Sequence, residues 1–439
     1  MQALRSNFLR MHEDFRTIPN KKKIINDPLY GFINIPSELI YDLVDHRYFQ
    51  RLRRIRQLGL TFYVYPGANH TRFQHALGAA HLMNSALEVI SRKDYPVGEA
   101  ERDSAIAAIL LHDIGHGPFS HALEHSIVET VDHEVLSGLF MDSLNKSTGG
   151  ALDHAIQIFN DTYPRRFLHQ LVSSQLDMDR LDYLNRDSFF SGVTEGMVGS
   201  ERIIKMLRVV DDRLVVERKG IYSIEKYLIS RRLMYWQVYL HKTVLAAEQM
   251  LVKALSRARE LAWNGIRLFT TPALEWFLYP GPLSEKPLAD QDLLLESYSS
   301  LDDTDIFAVL KVWADHPDKV LSFLSKGLLN RKLLAIRIRK TPWDQDQVED
   351  LRRSLKKNYG LSHAETEYMV FTDVIANNAY SDEDDQILFL DNSGQLLPLS
   401  EISDIFNVSL LRQTDSKYIL CYPKWLFQED GNINLTRSV

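Results

Sequence analysis

Seven consecutive residues without a charge or a hydroxyl, Ala105-Ile106-Ala107-Ala108-Ile109-Leu110-Leu111, run directly into His112-Asp113 and then into Gly115 and Gly117-Pro118. The helix predicted over Glu99–His112 is apolar on most sides from Ala105 onward. That pattern suits the middle of a helical bundle, and the glycines end it. A buried helix that finishes on an imidazole and a carboxylate carries a large desolvation cost unless the pair meets a ligand or a partner. Nitrogen and oxygen donors of this kind suit a divalent metal such as zinc, manganese or iron.

Ten of the fifteen histidines fall between His70 and His169. The heart of the cluster is His112-Asp113-Ile114-Gly115-His116-Gly117-Pro118-Phe119-Ser120-His121, followed by Glu124, His125 and His133-Glu134. His112 and His116, one turn apart, can face one site. His70, His81, His125, His154 and His169 have no partner that spacing supplies, and they read as helix caps or satisfied polar core positions. A metal needs more than two protein ligands, so others must come from elsewhere in the chain.

Helical apolar spacing recurs over Pro36–Leu60, Arg72–Arg92, His133–Leu144, Arg165–Arg186 and Ser223–Leu261, with a hairpin around Asp211-Asp212. After about Trp263 the texture changes, with Pro272, Pro280, Pro282 and Pro287 and three strand candidates at Leu334–Ile338, Ile387–Leu390 and Tyr418–Tyr422. The expected fold is mostly α: a helical bundle over residues 1–262 and a smaller α+β lobe over residues 263–439. The acidic runs Asp302–Asp305 and Asp382–Asp385 read as solvated loops. Fifty-eight acids against 51 lysines and arginines give a net charge of −7, which argues against a whole-molecule polyanion binder and leaves nucleic acid a minor reading. The single cysteine, Cys421, excludes an internal disulfide framework and a Cys-rich zinc site. No stretch approaches the ~20 apolar residues that span a bilayer, and Met1–Asn20 has no signal-peptide pattern. A soluble cytoplasmic protein, away from any membrane, is expected.

The ordered series Asn26-Asp27-Pro28, Phe49-Gln50-Arg51-Leu52-Arg53, Gln57-Leu58-Gly59, Tyr63-Val64-Tyr65-Pro66-Gly67-Ala68, Arg72-Phe73-Gln74-His75, His112–His121, His133-Glu134 and Asp177-Met178-Asp179-Arg180-Leu181-Asp182-Tyr183 resembles the HD-domain metal-dependent phosphohydrolases. Among these it is most similar to the deoxynucleoside triphosphate (dNTP) triphosphohydrolases, including dGTPases. The likeness covers roughly residues 23–245.

The resemblance implies an HD-domain helical bundle with one divalent metal ion per subunit (Mn, Fe, Zn, Ni or Mg), held by His75, His112, Asp113 and Asp179. The metal would polarise the α-phosphate and position the attacking water. His133 maps to the general acid on the departing 5′ oxygen, Glu124 to the residue that holds its other nitrogen, and His116 and His121 to phosphate contacts. Arg72, Arg180 and Arg231 fall on positions that neutralise the polyphosphate. Asp187 matches a residue that binds the 3′-hydroxyl, and Tyr183 one that crowds the 2′ position. Gln57 and Leu58 lie near sugar and base, and Tyr235 and Tyr239 are expected to share a helical face with Arg231. Lys23, Asp45, Gln50 and Arg53 resemble a regulatory nucleotide site, which implies a GTP or dNTP activator and a homo-oligomer, dimer or tetramer. The expected reaction is dNTP hydrolysis to deoxynucleoside and inorganic triphosphate. The alternatives are an HD enzyme acting on another phosphate ester (a nucleoside monophosphate, a cyclic nucleotide or a guanosine polyphosphate) and a non-catalytic nucleotide- or nucleic-acid-binding regulator.

Overall fold

Helix starts in this chain are set by short polar side chains in front of apolar runs, and the computed structural model, which describes residues 23–93, 95–119, 131–375, 386–403 and 416–426, shows where each run begins and ends. Helices that position the site are α1 (Glu38–Asp45), α2 (Arg72–Ser91), α3 (Glu99–Leu111), α4 (His133–Ser147), α5 (Met178–Ser191), α6 (Ile221–Met234), α7 (Lys242–Trp263) and α8 (Asp303–Trp313). Ser37 caps α1, Thr71 with Gln74 forms a capping box on α2, Asp132 caps α4 and Asp177 caps α5.

Caps also explain where the structure departs from the expected helices. Pro36–Leu60 is broken: α1 stops at His46, whose imidazole caps a short helix at Arg47–Gln50, and 3-10 turns follow at Arg51–Arg54 and Gly59–Tyr63. Arg165–Arg186 divides into Arg166–Val172 and α5, because the Asp177 carboxylate takes the backbone N–H of Ser174 and of Arg180 and so starts a new helix. Ser223–Leu261 is likewise interrupted: α6 passes into a π-helical turn at Tyr235–Tyr239 before α7 begins.

The fold is mostly α, as its apolar periodicity requires. α3 lies at the centre, with every residue from Ser104 to Leu111 buried, packed against α1, α2 and the helices Asp153–Phe159 and Arg166–Val172. Burying Ile106, Ile109, Leu110 and Leu111 contributes about 1.5–3 kcal/mol each. This anchors the helix end that carries His112-Asp113. α2 packs against α3 on one side and α5 on the other. The helix that bears His75 therefore sits between the one that ends at His112 and the one that bears Asp179.

Strands are short. β1 (Ile24–Asp27) and β2 (Gly31–Asn34) form a hairpin. The expected hairpin at Asp211-Asp212 joins β3 (Leu207–Val210) and β4 (Arg213–Glu217), with both turn aspartates at positive φ. The remaining strands are β5 (Ala335–Arg339), β6 (Phe371–Ile375), β7 (Leu388–Leu390), β8 (Leu396–Pro398) and β9 (Lys417–Tyr422). One sheet has the order β3-β4-β7-β8, the other β5-β9-β6. Thus residues on either side of position 262 share a sheet, and one core runs from Ile33 to Cys421. A second, smaller core lies under the helix Gln345–Tyr359 and β9, built on Val348, Leu351, Leu355 and Leu420.

Asp302–Asp305 is not a solvated loop. Asp302 and Asp303 are buried, Asp302 with Asp305 forms the capping box of α8, and Arg54 and Arg56 pair with Asp302 and Asp303. A helix start, two arginines and a desolvated location account for a run of acids that composition alone assigns to water. Asp382–Asp385 lies outside the described residues. Burial, which outweighs Arg56, pushes the Asp303 carboxyl up to about 6. The folded chain therefore holds this proton more tightly than the unfolded chain, where Asp titrates near ~3.9. Stability is lost as pH rises through that interval, and the penalty is complete above the folded value. Asp303→Asn is expected to raise the melting temperature most above about pH 6 and by a shrinking amount toward about pH 4. Thermal melts across that range check it, and a gain independent of pH would contradict it.

Candidate active site

At the C-terminal end of α3, His112 is the capping residue, and its Nδ1 donates to the Ile109 carbonyl at 2.6 Å. Nε2 is left as a lone pair facing the neighbouring helices. His75, on the first turn of α2, is fixed in the same sense by a different route, Nδ1 donating to Asp182 Oδ2 at 2.8 Å. Asp182 is gripped by Arg186, at 2.9 Å and 3.0 Å, and Arg186 reaches Asp27 Oδ2 at 2.8 Å. All four groups are buried. Against burial, Arg186 and then His75 hold the Asp182 carboxyl below its ordinary value. A carboxylate behind the distal nitrogen of an imidazole fixes its tautomer and raises its basicity as a metal ligand.

The two Nε2 atoms, both buried and without a well-formed hydrogen bond, converge on Asp179 Oδ1 at 3.0 Å from His75 and 3.4 Å from His112. These three donors lie within 4.8 Å of one another. Asp113 joins them, its carboxylate 3.3 Å from His112 Nε2 and 3.8 Å from His75 Nε2. The field favours positive charge: burial works against it, yet Asp179 and Asp182 push His75 up to about 10, and Asp113 and Asp179 push His112 up to about 9. Two imidazole nitrogens and two carboxylates that converge on one point fit a divalent cation. A His/His/Asp cluster that can hold a divalent metal is thus present.

Around it, Asp113 accepts from Arg72 and lies 3.3 Å from His116 Nε2. Burial and then Arg72 push the His116 imidazole down to about 3, so it is neutral at working pH. Its ring stacks on His133 at 3.9 Å between centroids, with 16° between planes. His133 Nδ1 is 3.1 Å from Asp132, the cap of α4. The turn that follows α3 is registered by Ser137 of α4, whose hydroxyl accepts from Gly115 N–H at 3.0 Å and donates to the His112 carbonyl at 2.7 Å. A Cβ at Gly115 would meet the His133 carbonyl at 2.2 Å, which is why this position is glycine. His121 and Glu124 lie outside the described residues.

α5 continues the site. Asp179 sits among the imidazoles at its start, Arg180 pairs with Asp177, and two turns on, Asp187 accepts from Tyr239 OH at 2.7 Å. Tyr183 and Tyr239 rings lie 6.2 Å apart, and Tyr235 and Tyr239 5.8 Å. A π turn follows Arg231 over Tyr235–Tyr239; Tyr239 reaches Asp187, and Arg231 donates to Gln175 Oε1 at 3.0 Å. Gln57 donates its backbone N–H to the His70 carbonyl at 3.0 Å, and Leu58 is half-buried before the turn Gly59–Tyr63. Elsewhere, Lys23 donates to Tyr41 OH at 2.7 Å, Asp45 is exposed on α1, and Gln50 bonds the Val44 carbonyl at 2.7 Å and accepts from Arg53 Nε at 2.8 Å.

The supporting layer was missed in the sequence, although it left a trace. Asp182 and Arg186 are an acid and a base at i, i+4 on a helix that is otherwise buried, a spacing that predicts a pair. Gly78 on α2 gave no signal, yet a Cβ there would lie 2.0 Å from Asp182 Oδ1 and 2.2 Å from Arg186.

Residues 72–187 match the family description "HD domain", and residues 198–267 match "HD associated region". A crystal structure of a phosphohydrolase from Bacteroides thetaiotaomicron superposes with a TM-score of 0.87 at 52% identity, covering 91% of this chain and 99% of that one. The chain belongs to the HD-domain phosphohydrolase family. This HD protein is also 33% identical over 420 residues to the uncharacterized protein YwfO of Bacillus subtilis, across 92% of its own length and 93% of the relative's. The human deoxynucleoside triphosphate triphosphohydrolase SAMHD1 is 29% identical over 280 residues, which are 54% of the HD chain and 44% of the human protein. The HD chain spans less than half of that relative's length. No helix among its described residues is long and apolar enough to cross a membrane.

Proposed function

We propose that this HD phosphohydrolase cleaves a dNTP to deoxynucleoside and inorganic triphosphate. The observation that carries the reading is the continuity of α5. One helix presents Asp179 to the His75/His112 cluster and, two turns later, Asp187 beside Tyr183 and Tyr239, so phosphate and sugar recognition would be built on one rigid element. Likeness to the dNTP triphosphohydrolases over the same residues supports it.

His75, His112, Asp113 and Asp179 would hold the divalent metal, which when bound supplies Lewis-acid polarisation of a phosphoryl oxygen and acidifies a water. The chain's own groups do the rest. Arg72, Arg180 and Arg231 balance polyphosphate charge. His116, neutral, donates a hydrogen bond to phosphate without adding repulsion toward the metal, and His121 completes these contacts. His133, with Asp132 or Glu124 at its other nitrogen, delivers a proton to the leaving 5′ oxygen. Asp187 and Tyr183 select the sugar, and Gln57, Leu58, Tyr235 and Tyr239 complete its wall. Lys23, Asp45, Gln50 and Arg53 take a GTP or dNTP activator in a homo-oligomer.

Arg231→Ala tests the polyphosphate part. It is expected to lower kcat/KM for the best dNTP by about 100-fold, the effect of losing one preorganised cation on a transferring phosphoryl group. Steady-state kinetics on dNTPs and on deoxynucleoside monophosphates provide the check. Retained dNTP turnover, or a preference for monophosphates, would point to a different phosphate ester.

A further inference from the structure

His70 stands apart from the clustered histidines, yet it is one of the most completely enclosed, 1% exposed. Its Nε2 lies 2.7 Å from Asp187 Oδ1. Asp187, itself 2% exposed, has its other oxygen engaged by Tyr239 OH at 2.7 Å. The imidazole is stacked on Phe190, 4.6 Å between centroids and 18° between planes. His70 Nδ1 is buried without a hydrogen-bond partner among the described residues. With the proton on Nε2, the ring donates to the carboxylate and leaves only a lone pair at Nδ1, a smaller loss than an unsatisfied N–H.

The backbone of the same residue makes the second tie. The His70 carbonyl accepts from Gln57 N–H at 3.0 Å, and Thr71 next to it bridges to Arg56. The loop is pressed onto the end of α5, since a Cβ at Gly67 would lie 2.5 Å from the Phe190 carbonyl. One residue therefore couples Gln57, in the segment before α2, to Asp187 on α5. Two donors from two different directions fix the plane of the Asp187 carboxylate, whose remaining lone pairs can accept only from a group in a defined position.

We propose that His70 is a positioning residue that fixes the Asp187 carboxylate as the acceptor for a sugar 3′-hydroxyl and so sets the preference for substrates that carry this hydroxyl. The inference rests on the dNTP reading above. Acting through Asp187, His70 contributes to recognition of one hydroxyl and leaves the phosphate contacts unchanged.

The test compares kcat/KM for a dNTP and its 2′,3′-dideoxy analogue on metal-loaded, full-length protein, for wild type and for His70→Leu, His70→Asn and His70→Gln. Wild type is expected to prefer the dNTP. His70→Leu should lower kcat/KM for the dNTP by about tenfold or more and that for the dideoxy analogue by less than about twofold, the signature of one lost charge-assisted hydrogen bond. His70→Gln, which keeps an N–H at similar reach, should retain most of the preference. His70→Asn, whose amide is too short, should lose it, and it replaces the leucine variant if that chain does not fold. Equal losses on both substrates, or an unchanged ratio in the Leu and Asn variants, would overturn the positioning role while leaving the dNTP reading standing. A wild-type enzyme that turns over neither nucleotide would overturn that reading and this inference with it.

Discussion

Alanine at His112 or Asp179 is expected to abolish phosphohydrolase turnover, by about three orders of magnitude or more, and to leave the purified protein without stoichiometric metal. The reason is geometric. His75 and His112 offer lone pairs whose direction is fixed from behind by Asp182 and by the Ile109 carbonyl, and Asp179 closes the set at 3.0 Å and 3.4 Å. With one donor removed, the others cannot swing in to compensate, because each belongs to a packed helix. A graded companion is Asp182→Asn, which leaves every proposed ligand in place but weakens the acceptor behind His75; its metal affinity should fall by about 10- to 100-fold. Metal content by mass spectrometry, together with kcat, reads both. Full metal occupancy and turnover in the alanine variants would contradict the assignment.

The second large effect concerns Arg51, which is fully buried and ion-paired with no carboxylate among the described residues. Burial pulls its guanidinium down to about 10, and its hydrogen bonds go to three backbone carbonyls: Leu301 at 3.1 Å, Ile114 at 3.1 Å and His116 at 2.6 Å. The ring of Tyr298 lies 4.9 Å from the guanidinium carbon. This cation ties the loop bearing His116 to the segment that leads into α8. Arg51→Met keeps much of the volume but strands three buried acceptors, at about 1–3 kcal/mol each before relaxation. A loss of about 3–5 kcal/mol is therefore expected. Denaturant unfolding should show the midpoint falling, and kcat should fall with it because the His116 loop loses its anchor. A variant with an unchanged midpoint would show that the carbonyls find other partners.

The contrast between His112 and Arg51 shows what a sequence discloses. The central helix and its His-Asp terminus were legible because an apolar run that ends on a charged pair has few places to go. The strands at Ala335–Arg339, Leu388–Leu390 and Lys417–Tyr422 and the Asp211-Asp212 hairpin followed from alternation and turn chemistry. Less legible were interactions between residues far apart in the chain. Nothing next to Arg51 in the chain shows that the Leu301 and Ile114 carbonyls arrive beside it, and Asp303 reads as solvated until Arg56 does. His70 reads as a core histidine because Asp187 is 117 residues away. The π turn at Tyr235–Tyr239 has no periodic signature, since it adds one residue to a pattern that remains apolar on both sides.

Attack at the α-phosphorus of a dNTP is read from its products, by incubating metal-reconstituted protein with each of the four dNTPs, with and without GTP, and separating products by chromatography with phosphorus detection. Deoxynucleoside and intact inorganic triphosphate are expected as the only products. Deoxynucleoside monophosphate with pyrophosphate, stepwise release of phosphate, or no turnover with any dNTP despite bound metal would contradict it.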